Sequence, residues 1–457
     1  MVFGQEKAPE RSRYPAATFV KADVTIRLDH PESRLESRIG LRVESIADLR
    51  PVHGYGGHPR SNSKSWRFKV RACHGRSLGG RPGLNVDVDT IILIQIGPCK
   101  PKIQTMTQNQ EAPTRNHLRN LWYFAVHAHT LKPGEIRQKQ ILGEPVLLGR
   151  TKTGDVFALR DLCPHRGVPL SKGRMVDDTV ECPYHGWRFA PSGQCKLIPS
   201  LVGQEGVDPA RINVYRYHVR EQNGLVWVYM AEDEKAAAPS TEPPRLPISP
   251  EARPTLIEAQ LFPCPIDHAV VGLMDPAHGP FVHRAWWWRS QSSSYAKEKK
   301  YEPSPLGFTM VTHAPSSNST LYKILGGDRT TEISFQLPGT RIEHIKAGRS
   351  EIVGLTTCTP LNPNETEVTQ TFFWNLSWMA PFKPIAQAVA RTFLGQDRKI
   401  VTDQMEGLKY NPRMMLIQDA DTPAIWYFRL KKEWADALAD RREFTNPVKP
   451  ATLRWRS

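Results

Sequence analysis

"CPHRG" (residues 163–167) and "CPYHGWRF" (182–189) decide how this chain is read. Each stretch offers one cysteine and one histidine on a short loop, and sixteen residues separate His165 from Cys182. Two cysteines and two histidines also suit zinc. Zinc modules, however, pair like ligands, cysteines on one arm and histidines on the other. Here each arm supplies one of each. A dinuclear iron–sulfur cluster, with two thiolates on one iron and two imidazoles on the other, can draw one ligand of each kind from each loop. Pro164 and Pro183 stiffen the loops, while Gly167 and Gly186 let the backbone come close to sulfide.

Outward from these loops the texture is that of short strands. "GEPVLLGRTKTGDVFALRDLC" (143–163) predicts two strands around a turn, and "NGLVWVYMA" (223–231) predicts another. An all-β module over 118–231 therefore carries both loops. A Pro- and Ala-rich linker follows at 232–254. The next domain, 255–444, shows strand-like runs over about 306–376, a helical pattern near 384–410 and a terminal amphipathic helix at 423–444. The fold class is α+β: an all-β domain, then an antiparallel sheet flanked by helices.

Residues 1–105 differ. They hold 18 Lys/Arg against 10 Asp/Glu, so +8 of the chain's net +15 lies in under a quarter of its 457 residues. They show little apolar periodicity, and "HGYGGHPRSNSKSW" (53–66) reads as coil. A basic, poorly structured extension with Met106 as the true start is the expectation; a basic arm or targeting peptide is the alternative. The spread of the remaining charge excludes a nucleic-acid partner. The best apolar run, "TIILIQIG" (90–97), is far short of the ~18 residues that a membrane helix needs. Seven scattered cysteines, an odd number, do not form a disulfide framework, so a reducing cytoplasm is expected. Cys73, Cys99, Cys195, Cys264 and Cys358 read as buried hydrophobes.

An electron relay needs an acceptor, and "GLMDPAHGPFVHRAWWWR" (272–289) offers one. His278 and His283 lie five apart, off the four-residue helical repeat, and Pro280 should loosen the helix between them so that both imidazoles converge on one metal. Asp275, three residues earlier, can orient an imidazole. Two histidines plus a distant carboxylate make the facial triad of non-haem Fe(II) oxygenases, with positions open for O2 and substrate. The helix over 384–410 presents an apolar stripe of Ile385, Val389, Phe393, Ile400, Val401 and Leu408, with Asp397 on it and Asp403 on the polar side. A buried charge is costly unless paired or metal-bound, so Asp397 is the expected third ligand. The Trp run in "RAWWWR" (284–289) suits pocket wall or subunit contact.

Together these motifs resemble the Rieske non-haem iron oxygenases, specifically the catalytic (α) component of aromatic-ring-hydroxylating and O-demethylating systems, over about 118–440. The resemblance implies Cys163, His165, Cys182 and His185 on a Rieske [2Fe–2S] cluster and His278, His283 and Asp397 on a mononuclear Fe(II). It makes Asp275 the bridge from an iron-ligand histidine to a Rieske histidine of the neighbouring subunit in a head-to-tail homotrimer. It also implies NAD(P)H electrons delivered by a reductase, with or without a ferredoxin, and O2 used on an aromatic or other hydrophobic small molecule. Hydroxylation or O-demethylation is favoured over cis-dihydroxylation; a Rieske electron-transfer protein without oxygenase activity is the rival. Two positions depart from the family pattern: Gly272 replaces the usual Asn, and Gln396 the usual acidic residue before Asp397.

Overall fold

A computed structural model describes residues 117–202, 207–233, 238–283, 294–314 and 328–457, with the backbone of 25–27 and 36–38. The expectations for the rest of 1–105, and for "RAWWWR", lie outside the described residues. Thr25–Arg27 and Glu36–Arg38 pair antiparallel.

"LVWVYM" (Leu225–Met230) is apolar without alternation because all six side chains are buried. A strand covered on both faces reads this way. It lies between Leu121–His127 and Arg216–Gln222 in a six-stranded sheet completed by Val156–Arg160, Glu144–Arg150 and Ile136–Ile141. A smaller four-stranded sheet runs from Cys195–Leu197 through Arg188–Phe189 and Thr179–Glu181 to Arg174–Val176. Leu147, Phe157, Leu170, Val180 and Phe189 pack between the two sheets, and Cys163 and Cys182 belong to the same cluster.

The second part is built on one eight-stranded antiparallel sheet, beginning with Leu256–Phe262 beside Glu365–Trp374 and ending on Ala296–Ser304 and Ala451–Arg456. One face carries Ile342, Val353, Leu355 and Phe373 against Trp122, Phe124, Trp227 and Tyr229 of the six-stranded sheet. Polar ties cross the same junction. Thr359 donates to the Phe124 carbonyl at 2.8 Å, and His127 Nε2 lies 2.9 Å from Thr371 Oγ1. Among the described residues, the opposite face receives α1 (Ile266–Met274), α3 (Lys383–Leu408) and α4 (Thr422–Ala439), and the single turn α2 (Gly279–Val282) lies against α3.

Two expectations change. The helix preceding the histidines ends at Met274, upstream of Pro280: Asp275 is extended (φ −70°, ψ 116°). Its neighbour Pro276 disfavours the helical region for the residue before it. On α3, Ile385 and Ile400 are exposed, and the buried stripe is Ala390, Leu394 and Val401. Among the described residues, no helix is long and apolar enough to cross a membrane.

Candidate metal centres

The two cysteine–histidine loops fold alike. Gly167 N–H donates to the Cys163 carbonyl and Gly186 N–H to the Cys182 carbonyl, at 2.8 and 3.1 Å. Cys163 and Cys182 N–H groups in turn reach the Val168 and Trp187 carbonyls. Both glycines are left-handed, φ 70° and 69°, which a Cβ would strain. The cysteines are buried and the histidines are not: each cysteine is 3% exposed, while His165 and His185 lie at the surface. The two imidazole rings are 4.8 Å apart between centroids, and Trp187 stacks flat on His165 at the same distance.

Burial pushes the Cys163 thiol up to about 11, and Cys182 beside it adds to the rise. Two thiolates held together there need a cation. Desolvation, with His165 and Arg166 adding to it, holds His185 below its ordinary value, and a neutral imidazole is the ligating form. The donor set thus fits a cluster whose thiolate-bound iron is buried and whose imidazole-bound iron is at the edge.

The second constellation lies where α2 meets α3. His278 and His283 flank the single turn of α2, with their Nε2 atoms 3.1 Å apart. Asp397 Oδ1 on α3 is 3.7 Å from His278 Nε2 and 3.3 Å from His283 Nε2. His278, His283 and Asp397 are the one group among the described residues whose three donors lie close enough for a single ion. Adjacent ligands about 2.1 Å from one ion, at right angles, sit about 3 Å apart. The three atoms are spaced for that, and together they fit one dication.

The outer side of each imidazole is also held. His278 Nδ1 lies 2.8 Å from the Asp275 carbonyl and 3.7 Å from its carboxylate, whose other oxygen accepts the Ala277 N–H at 2.7 Å. His283 Nδ1 lies 3.0 Å from Gln396 Oε1, and Phe393 stacks on the ring at 4.4 Å. Burial pushes Asp397 up to about 7, against the pull of Arg341, and raises Asp275 as well. Asp403 is turned outward, bonded to Lys399 at 2.7 Å. The contact of Gln396 with His283 and the charge of Arg341 near Asp397 were not foreseen from sequence; an acceptor one position before the candidate carboxylate was the only local signal.

Comparison with known proteins covers the segments that carry both constellations. Residues 121–215 match the Rieske [2Fe-2S] domain, and 264–437 match the vanillate O-demethylase oxygenase C-terminal domain. The chain belongs to the Rieske non-haem iron oxygenases. The cofactors of such an oxygenase are a [2Fe–2S] cluster and a mononuclear non-haem iron. Dicamba O-demethylase oxygenase component of Stenotrophomonas maltophilia is 36% identical over 177 residues, 37% of this chain and 48% of that protein. Chlorophyllide a oxygenase of Arabidopsis thaliana is 30% identical over 177 residues, and the match spans only 30% of its length. The crystal structure of dicamba monooxygenase bound to dicamba superposes with a TM-score of 0.58, covering 71% of this chain and 99% of that one at 23% identity. At that identity the likeness is one of fold.

Proposed function

We propose that this Rieske oxygenase is the terminal component of an electron-transfer system that hydroxylates or O-demethylates an aromatic or other hydrophobic small molecule. What carries the proposal is the convergence of His278, His283 and Asp397 on one point, beyond anything that an electron carrier requires. Residues 118–231 serve as the electron-accepting domain and 255–444 as the oxygenase domain, joined by 232–254. Cys163, Cys182, His165 and His185 hold the cluster, with the exposed histidine edge facing the donor. A reductase, with or without a ferredoxin, brings electrons from NAD(P)H in the cytoplasm, and the net +7 that remains outside residues 1–105 favours an acidic donor.

His278, His283 and Asp397 hold the mononuclear iron, which supplies O2 activation beside the bound substrate. Asp275 keeps the proton of His278 on Nδ1 and, in a homotrimer, links that imidazole to a Rieske histidine of the neighbouring subunit. Monooxygenation is preferred to cis-dihydroxylation because the matched C-terminal model and one relative carry O-demethylase names.

Metal and sulfide analysis with low-temperature EPR tests this. About three irons and two sulfides per chain, with a Rieske signal on reduction, is the expected outcome. About two irons in protein reconstituted with excess ferrous ion would remove the oxygenase assignment.

A further inference from the structure

One turn of α3 surrounds the ring of His283. Phe393 lies flat against it, with centroids 4.4 Å apart and 21° between planes. Gln396, three residues on, places Oε1 3.0 Å from Nδ1. Asp397, the next residue, places a carboxylate oxygen 3.3 Å from Nε2. A single helical face thus contacts the ring surface and both nitrogens. An imidazole offers a lone pair to a metal only from the nitrogen that bears no proton, and the partner of the other nitrogen decides which one that is.

We propose that Gln396 is the positioning residue that fixes the tautomer of His283: its amide oxygen holds the proton on Nδ1 and leaves Nε2 open toward His278 and Asp397. The inference rests on the ligand assignment made above. Gln396 spans 113 residues of sequence to reach this ring. The opposite rotamer, with the amide nitrogen toward Nδ1, would drive the proton to Nε2 and turn an N–H toward the other two donors.

The test uses the full chain with selectively 15N-labelled histidine, the cluster left in place and the mononuclear iron removed by chelation. Long-range 1H–15N spectra of wild type should show His283 protonated at Nδ1. Gln396→Leu should show a mixed or Nε2-protonated ring, and Gln396→Glu, which retains an acceptor, should restore the Nδ1–H form. Titration with ferrous ion should then find Gln396→Leu about 10–100-fold weaker than wild type, with Gln396→Glu recovering most of the loss. The Rieske EPR signal serves as the control for folding in both variants. Should Gln396→Leu keep the Nδ1–H tautomer and wild-type iron affinity, the proposal is overturned. Failure of wild type to bind ferrous ion would instead overturn the ligand assignment, while the tautomer spectra would still decide the role of Gln396.

Discussion

Asp397 and Asp403 sit six residues apart on α3 and meet opposite conditions. Asp397 is pushed up to about 7 by burial and faces two imidazoles, whereas Asp403 lies in solvent on the Lys399 ammonium. A carboxyl group in the first setting stays ionised at little cost only when a cation joins it. Asp397→Ala should therefore weaken retention of the mononuclear iron by at least about 100-fold and abolish turnover, with the Rieske signal unchanged. Asp403→Ala should leave iron content and turnover as in wild type; iron loss in that variant and not in the other would exchange their roles. The cue in the sequence was local, a charge four residues after Phe393 and three before Ile400; Ile400 is exposed, and the buried positions that flank Asp397 are Leu394 and Val401. The hydrogen bond from His283 to Gln396 was not legible, because no spacing on one helix reports what another segment brings against it.

At the scale of elements, α1 aims the segment that carries Asp275 and His278, and its first turn is fastened to α4. Asp267 accepts the Tyr427 hydroxyl at 2.7 Å and the Lys431 ammonium at 2.6 and 2.7 Å. Asp267→Asn keeps an acceptor for Tyr427 but leaves Lys431 without its counter-charge. Both ionic groups are about a quarter exposed, so the cost should be modest, about 1–2 kcal/mol. Thermal unfolding monitored by circular dichroism should show the melt lowered by a few degrees; an unchanged melt would mean that α1 is docked by its apolar face alone. Element types could be read from apolar pattern and length, as "LVWVYM" and the 26-residue α3 illustrate. Ends were harder. Pro276 held the signal that stops α1 at Met274, but Pro280 drew attention because it stands between the histidines. The strand Ala451–Arg456 is short, and only its pairing with Ala296–Ser304 identifies it as an edge of the large sheet.

At the scale of the molecule, the two sheets meet through an apolar layer that includes a buried histidine. Burial, with His129 and Lys139 nearby, lowers His127 from 6.5 to about 4, so the folded chain keeps it neutral where the unfolded chain would protonate it. The unfolded state then binds more protons between those values, and stability must fall as pH drops through that window. His127 contributes fully above pH 6.5, and about 2 kcal/mol of its share is lost by pH 5. His127→Gln, compared with wild type by urea unfolding at pH 7 and pH 5, should lose correspondingly less on acidification; equal slopes would place the histidine outside the linkage. Electron flow is tested at the same scale. In the proposed homotrimer each cluster serves the iron of a neighbour, so a subunit lacking its cluster and a subunit lacking its iron should complement one another. His185→Ala and Asp397→Ala chains, each inactive alone, can be co-expressed with different tags and the mixed oligomers purified. With random assembly about one junction in four joins an intact cluster to an intact iron, so turnover should return to about a quarter of wild type. Mixed oligomers that form but stay inactive would show that the electron passes within a single chain, and the bridging role of Asp275 between subunits would fall with them.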